Sequence, residues 1–578
     1  MTRRGKLSTD PGRPQGLARG RVTALCVIWI MAFLLLLGRL ADLQVLRARA
    51  LQLIATRQQL ESLTLPAARG SITDRGGRPL AINVEVESVY AVPRAVADNA
   101  AFARAVAPAL RLTPAEVETR LRHAGPYFAW LARRQPAETI AALRRLQLGD
   151  AVGLLKETRR AYPAGPLAAG VIGFAGVEDA GLAGLELRYD GRLRGEQGVG
   201  VAARDAIGRE LMQTERVLTP PRDGDTLVLT LDEVVQHIAE RELARAVQAA
   251  HAQGGAAIVM DPKTGAILAM AAVPSFDPNK YQSAPPALWK SRAVADVYEP
   301  GSTFKLILAA AALSSHAVSA GETFTDPGKI PINGAVIHDA EPPEHTVLTL
   351  AEIVKYSSNV GAAQVATRVG KERLHHYIRQ LGFGAPTGID LPGEASGIIR
   401  PVSRWYGPSL QNIGFGQGIS VTPIQLLVAA AAFATRGMAA HPHLVAAIRD
   451  PAGHIIATPG DLPPHRVIEP KIADQVLAMM RQVVEGGTGI HARLAGYLVA
   501  GKTGTAQRPA PWGGYEPGAY VSSFVGVVPV PSPRLAILVI IDRPRGVYFG
   551  GEVAAPAFRE IAQQVLWYLR VPPAGPQE

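Results

Sequence analysis

Residues 496–507 read GYLVAGKTGTAQ and admit two chemistries. The outline G-x-x-x-x-G-K-T is that of a phosphate-cradling loop, which would make the chain a nucleotide-binding protein. The interior, Tyr497-Leu498-Val499-Ala500, is strand material, which would set Lys502, Thr503 and Thr505 along the wall of a cleft. The flanks decide between them. A phosphate loop passes from a strand through a glycine-rich turn into a helix whose N-terminus meets the phosphates. Here Gly504, Pro509, Pro511, Gly513 and Gly514 follow Thr503, and no helix survives them. LAILVIID (535–542) imitates the acid-terminated strand that accompanies such loops. It fits better as the last of three antiparallel strands, after YLVAGKTGTAQ and YVSSFVGVVPV. The C-terminal APAFREIAQQVLWYLR is a helix to cover them. No bound nucleotide is expected.

Working back along the chain, GGAAIVMDPKTGAILAMAAVP (254–274) reads as a hairpin turning at Pro262 and Gly265. Before it, a strand at 225–232 leads into a helix at 233–251. The second large domain therefore spans 226–570, with a Pro-rich tail at 571–578. In EPGSTFKLILAAAALSS (299–315) a helix starts at about Ser302, and Ser302 and Lys305 share one face. A serine hydroxyl needs a base to become a nucleophile, and a buried lysine with a lowered pKa supplies one. In YSSNVG (356–361) the Ser357 hydroxyl can relay a proton, and the Asn359 amide can hold the substrate backbone and the lysine. In KTGT (502–505) Lys502 fixes charge near the pocket, Gly504 lets a substrate backbone come close, and the hydroxyls of Thr503 and Thr505 can bind a carboxylate. Each element alone has a plain structural explanation: a helix cap, a polar turn, a strand end with a glycine bulge. Their joint order is what carries weight.

S-x-x-K, S-x-N and K-T-G in that order resemble the penicillin-binding proteins and serine β-lactamases. ARGSITDRGGRPLA (68–81), YEPGSTFK (298–305), SSNVG (357–361), GFGAPTGIDLPGE (382–394), NIGFGQGISVTPIQL (412–426) and VAGKTGTAQ (499–507) narrow this to the class B penicillin-binding proteins, septal FtsI type. The resemblance covers nearly all of residues 20–570. It implies an α/β transpeptidase domain, an antiparallel sheet flanked by helices, preceded by a mixed α+β pedestal of dimerisation type at 66–225. It implies a D,D-transpeptidase in which Ser302 is the nucleophile, Lys305 the general base and Ser357 the proton relay. Asn359 and Lys502 complete the catalytic set. Thr503, Gly504 and Thr505 bind substrate, and the backbone N–H groups of Ser302 and Thr505 form the oxyanion hole. It also implies partners: peptidoglycan stem peptides ending in D-Ala-D-Ala, β-lactam antibiotics, a SEDS-type glycan polymerase and divisome membrane proteins. An elongation-type class B enzyme is the alternative, and a membrane-anchored β-lactamase a weaker one.

The rest of the sequence sets limits. The 578 residues carry a net charge of +11 with no Lys/Arg block interleaved with aromatics, so nucleic acid is not an expected partner. Cys26 is the one cysteine, which excludes an intramolecular disulfide and a cysteine-built zinc site. His375 and His376 are adjacent on a helical stretch, point different ways and read as structural. No metal or cofactor is expected. VTALCVIWIMAFLLLLG (22–38) carries no charge and is bracketed by Arg21 and Arg39, as a spanning anchor would be. Arg3, Arg4, Lys6, Arg13, Arg19 and Arg21 precede it against Asp10, while Arg39, Arg47, Arg49 and Arg57 follow. This bias puts residues 1–21 in the cytoplasm and everything beyond the helix (22–40) outside the inner membrane. The three- and four-residue apolar spacing at 41–65 predicts a juxtamembrane helix that Pro66 ends.

Overall fold

A computed structural model of the chain describes residues 15–51, 60–204, 210–342 and 345–573. The chain divides into two compact units. One comprises residues 1–67 and 196–222, the other 68–195 and 223–578.

In the first unit, helix Gln15–Ala41 contains a window of mean hydropathy 2.4, none of it buried in protein, long and apolar enough to cross a membrane. It continues as a π-helical turn, Asp42–Leu46, where Asp42 pairs with Arg39 at 2.6 Å and Arg47 at 3.1 Å. The expected helix over 41–65 does not persist. Leu60–Leu65 is a strand, antiparallel to Gly198–Arg204, which pairs in turn with Glu210–Thr219. A short apolar run satisfies its backbone equally well in either form, and the ladder to Gly198–Arg204 decides here. Residues 52–59 of that expectation lie outside the described residues.

In the second unit the elements that build the site are, in chain order, α1 (Glu233–Ala249), β1 (Gly254–Met260), β2 (Ile267–Val273), α2 (Lys305–Ser314), α3 (Leu350–Tyr356), α4 (Asn359–Val369), α5 (Pro423–Ala434), α6 (Pro470–Gly486), β3 (Ala500–Pro509), β4 (Tyr515–Val528), β5 (Leu535–Asp542) and α7 (Ala555–Tyr568). The strands form one antiparallel sheet in the order β2-β1-β5-β4-β3. Alternation sends Ala536, Leu538 and Ile540 of β5 into one core with α2, α5 and α6. It sends Leu535, Ile537, Val539 and Ile541 into a second core with α1 and α7. Burial on both faces is why LAILVIID reads as an unbroken apolar run. The segment after Thr503 stays in β3 and turns into β4, so no helix meets a phosphate at this position.

The expected boundary at residue 225 does not separate two compact units. Thr226–Leu229 pairs with Val445–Arg449 on one side and with Ile72–Thr73 on the other, joining strands Pro79–Ala91, Ala129–Gln135 and Val152–Ala161 to the C-terminal half in one sheet. Farther along this unit lie the helical turns Ala169–Ile172, Gly184–Arg188 and Asp190–Leu193. They gather around Glu186, whose carboxylate meets Arg69 and Arg160 at 2.6 Å each and accepts from the Tyr162 hydroxyl at 3.2 Å. All four side chains are buried. Removing one member of such a cluster strands the others without compensation. Glu186→Ala is expected to lower unfolding stability by about 3–5 kcal/mol, read by thermal or denaturant melting.

Candidate active site

Ser302 lies in a 3-10 turn, Gly301–Phe304, and the α-helix starts only at Lys305, three residues later than expected. The tighter turn eclipses side chains three apart. Lys305 Nζ consequently donates to Ser302 Oγ at 2.8 Å. The same ammonium donates to Ser357 O at 2.7 Å, Ser357 Oγ at 3.3 Å and Asn359 Oδ1 at 2.8 Å. Lys305 is 1% exposed, whereas Ser302 is partly open to solvent. Burial pulls the lysine down to about 7, and the Asp339 and Asp326 carboxylates oppose it.

Ser357 occupies the left-handed region (φ 64°) between α3 and α4, so its carbonyl and hydroxyl both face Lys305. Ser358 caps α4 by accepting from Gly361 N at 2.7 Å. Asn359 opens α4, with its Nδ2 donating to His338 O at 3.0 Å and its Oδ1 left for Lys305. From the edge strand β3, Lys502 Nζ donates to Ser357 Oγ at 3.0 Å. Lys502 is also fully buried, and burial together with the Lys305 charge holds it well below the ordinary lysine range. Ser302, Lys305, Ser357 and Lys502 thus form one hydrogen-bonded line across three elements distant in sequence.

The residues expected to bind substrate sit on β3 in different settings. Thr505 is partly open, and its Oγ1 accepts from Gly550 N at 3.0 Å. Thr503 is buried and shares its hydroxyl with Thr488 at 2.7 Å. The close approach that Gly504 permits is to the nucleophile turn. A Cβ there would lie 2.9 Å from Pro300 O and 2.9 Å from Thr303 Cγ2. On the other side of the same turn, a Cβ on Gly416 would fall 2.1 Å from Gly301 O. The Ser302 turn is thereby clamped between two backbones. Glu299 adds a tether, accepting from Gly418 N at 2.9 Å and from the Tyr515 hydroxyl at 3.0 Å.

Sequence reasoning missed Thr488, Asp326, Asp339 and an aromatic stack beside Thr505. In that stack the Tyr520 and Tyr548 rings are 4.0 Å apart, with Phe549 against Tyr548 at 4.7 Å. Glu299 and Gly416 were legible only as parts of longer quoted strings. His375 packs edge-on against Trp405, and His376 against Tyr377, so the pair does not converge. Among the described residues no three His, Cys, Asp or Glu side chains gather as a metal site would require.

A family model described as the penicillin binding protein transpeptidase domain matches residues 255–563, and one described as the penicillin-binding protein dimerisation domain matches 64–229. The chain is 33% identical to the peptidoglycan D,D-transpeptidase FtsI of Escherichia coli K12, over 96% of this chain and 92% of that one. The chain belongs to the class B penicillin-binding proteins. Stage V sporulation protein D of Bacillus subtilis is 35% identical over 96% of this chain and 86% of its own length. Among solved structures, penicillin binding protein 3 of Mycobacterium tuberculosis complexed with aztreonam superposes with a TM-score of 0.69 at 30% identity, covering 89% of this chain and 99% of that one. In this penicillin-binding protein the matched transpeptidase region contains all three motifs, which meet at the Ser357 hydroxyl.

Proposed function

We propose that the chain cross-links peptidoglycan stem peptides in septal wall synthesis, through an acyl-enzyme on Ser302. The observation that carries this reading is the 2.8 Å contact from the buried Lys305, held near neutrality, to a solvent-open Ser302. Neutral Lys305 takes the Ser302 proton as Oγ attacks the carbonyl of the penultimate D-Ala. Negative charge develops on that oxygen between the N–H groups of Ser302 and Thr505; β3 is the sheet edge, so alternate N–H groups along it face away from β4. As the tetrahedral intermediate collapses, the C–N bond breaks and terminal D-Ala departs, its amine protonated through Ser357, which links Lys305 to Lys502. An amine from a second stem peptide then attacks the acyl-enzyme, loses its proton back to Lys305 and frees Ser302. Thr505 binds the terminal carboxylate, with Thr503 and Lys502 behind it, and β-lactams acylate Ser302 in the same way.

The septal assignment is supported by the likeness to the peptidoglycan D,D-transpeptidase FtsI. An elongation-type role is the alternative. We also propose an inner-membrane anchor at Gln15–Ala41 with a cytoplasmic N-terminus, a SEDS-type glycan polymerase as partner and divisome membrane proteins as neighbours. The detergent-solubilised full chain, given glycan with pentapeptide stems, should release D-Ala and form cross-linked dimers. Release without dimers would mean a hydrolase. Depletion in cells should give filaments, and rounded cells would assign elongation instead.

A further inference from the structure

Two carboxyls, Asp326 buried and Asp339 half-buried, stand behind the Ser357–Asn359 turn and take no part in the chemistry above. Asp339 follows the hairpin made by Lys329–Ile332 and Ala335–His338. Its Oδ1 accepts from Asn359 N at 2.5 Å and Val360 N at 3.1 Å, the first N–H groups of α4. Asp326, fully buried, accepts from Ser358 Oγ at 2.5 Å and from Gly328 N at 2.9 Å. The two carboxyls therefore grip consecutive residues of one turn, and that turn presents Ser357 and Asn359 to Lys305. Asp339 Oδ2 is buried with no donor directed at it, and the Asp326 carboxyl stands beside it. Like charges so placed hold a proton between them. Burial, then Asp326, push Asp339 up to about 6. The charges that act on Lys305 are Asp339 from the hairpin and Asp326 at the end of the strand Thr323–Thr325, while Lys502 from β3 is itself lowered by the Lys305 charge. Lys329 and His338 on the hairpin itself are exposed.

We propose that Asp339 is a positioning residue for acyl transfer: it holds the Ser357–Asn359 turn against Lys305, and its charge beside Asp326 sets the pH at which Lys305 becomes a base. The inference rests on Lys305 being the base, as proposed above. The sign follows from the charges. Above about pH 6 the Asp339 carboxylate favours the Lys305 ammonium and delays loss of its proton. Neutralising Asp339 removes that delay.

The test is the second-order rate at which a fluorescent penicillin labels the full chain in detergent, measured from pH 5 to 9. The wild-type rate should climb with a midpoint near pH 7, where Lys305 loses its proton. Asp339→Asn keeps an oxygen for the two N–H groups but carries no charge. Its midpoint should fall by about half a unit to one unit. The two curves should merge below about pH 6, where the wild-type side chain is itself neutral. Asp339→Ala also loses the acceptor, so it should show the same midpoint shift on a plateau about tenfold lower. Asp339→Glu, which restores the charge, should return the midpoint toward the wild-type value. Midpoints of the Asn and Ala variants that coincide with wild type overturn the proposal, whatever their plateaus. A wild-type rate with no ascending limb near neutrality overturns the assignment of Lys305 as base, and this inference with it.

Discussion

Lys305→Arg labels with penicillin at least about 10³-fold more slowly than wild type, within the range that a positioned general base contributes. The substitution keeps a positive charge beside Ser302, so it separates two jobs the lysine could do. A guanidinium cannot be deprotonated in a protein and so cannot accept the Ser302 proton. If Lys305 only stabilised charge, arginine would retain much of the rate. The lysine's setting favours the base. It is buried, donates to three oxygens besides Ser302 Oγ, and is held near 7 by desolvation. Lys305→Met should be equally inactive, and also less stable. It strands the Ser357 carbonyl and Asn359 Oδ1 without a donor, at about 1–3 kcal/mol for each buried acceptor left unmade. Labelling kinetics check the first statement and melting checks the second. A Lys305→Arg enzyme within tenfold of wild type would remove the base assignment.

Gly504→Ala is the second large effect, and it acts without touching any group that reacts. The added Cβ would lie 2.5 Å from Ser523 Oγ, 2.9 Å from Pro300 O and 2.9 Å from Thr303 Cγ2. The serine hydroxyl can rotate aside, but Pro300 O is backbone and Thr303 is fully buried in the turn that carries Ser302. Either β3 or that turn must move by roughly 0.6–1.1 Å to restore ordinary contact. The oxyanion hole proposed above spans both elements, so its two N–H groups no longer converge. A misplacement near 1 Å costs about 10²-fold in rate, and the overpacking costs about 1–3 kcal/mol in stability. Acylation about 100-fold slower in a folded variant is the expected result, read by labelling kinetics alongside melting. A Gly504→Ala rate equal to wild type would show that β3 and the nucleophile turn need not touch so closely.

Local arrangements were the legible ones. Ser302 and Lys305 meet because three residues make one turn, and the hairpin of β1 and β2 is marked by its own turn residues. The strands β3, β4 and β5 follow one another in sequence, so their pairing could be read directly. What escaped depends on partners far along the chain. Asp326 and Asp339 reach Ser358 and Asn359 through a separate excursion of the chain, and nothing near either aspartate announces it. The strand Thr226–Leu229 reads locally as a strand before a helix, and its register against Val445–Arg449 and Ile72–Thr73 depends on residues far along the chain. Leu60–Leu65 carries an apolar pattern that suits a helix as well, and only its pairing with Gly198–Arg204 distinguishes the two. Gly504 was expected to let a substrate backbone come close; the surfaces its bare Cα meets are Ser523 and the Ser302 turn.

The central claim is that the acyl group rides on Ser302, placed beside Lys305 by the 3-10 turn. Intact-mass analysis of the full chain after exposure to penicillin, followed by peptide mapping, tests it most directly. The account predicts one added penicilloyl mass on the peptide containing Ser302, persisting over the assay, and its complete loss in Ser302→Ala. An adduct on another residue, or an undiminished adduct in folded Ser302→Ala, would contradict it.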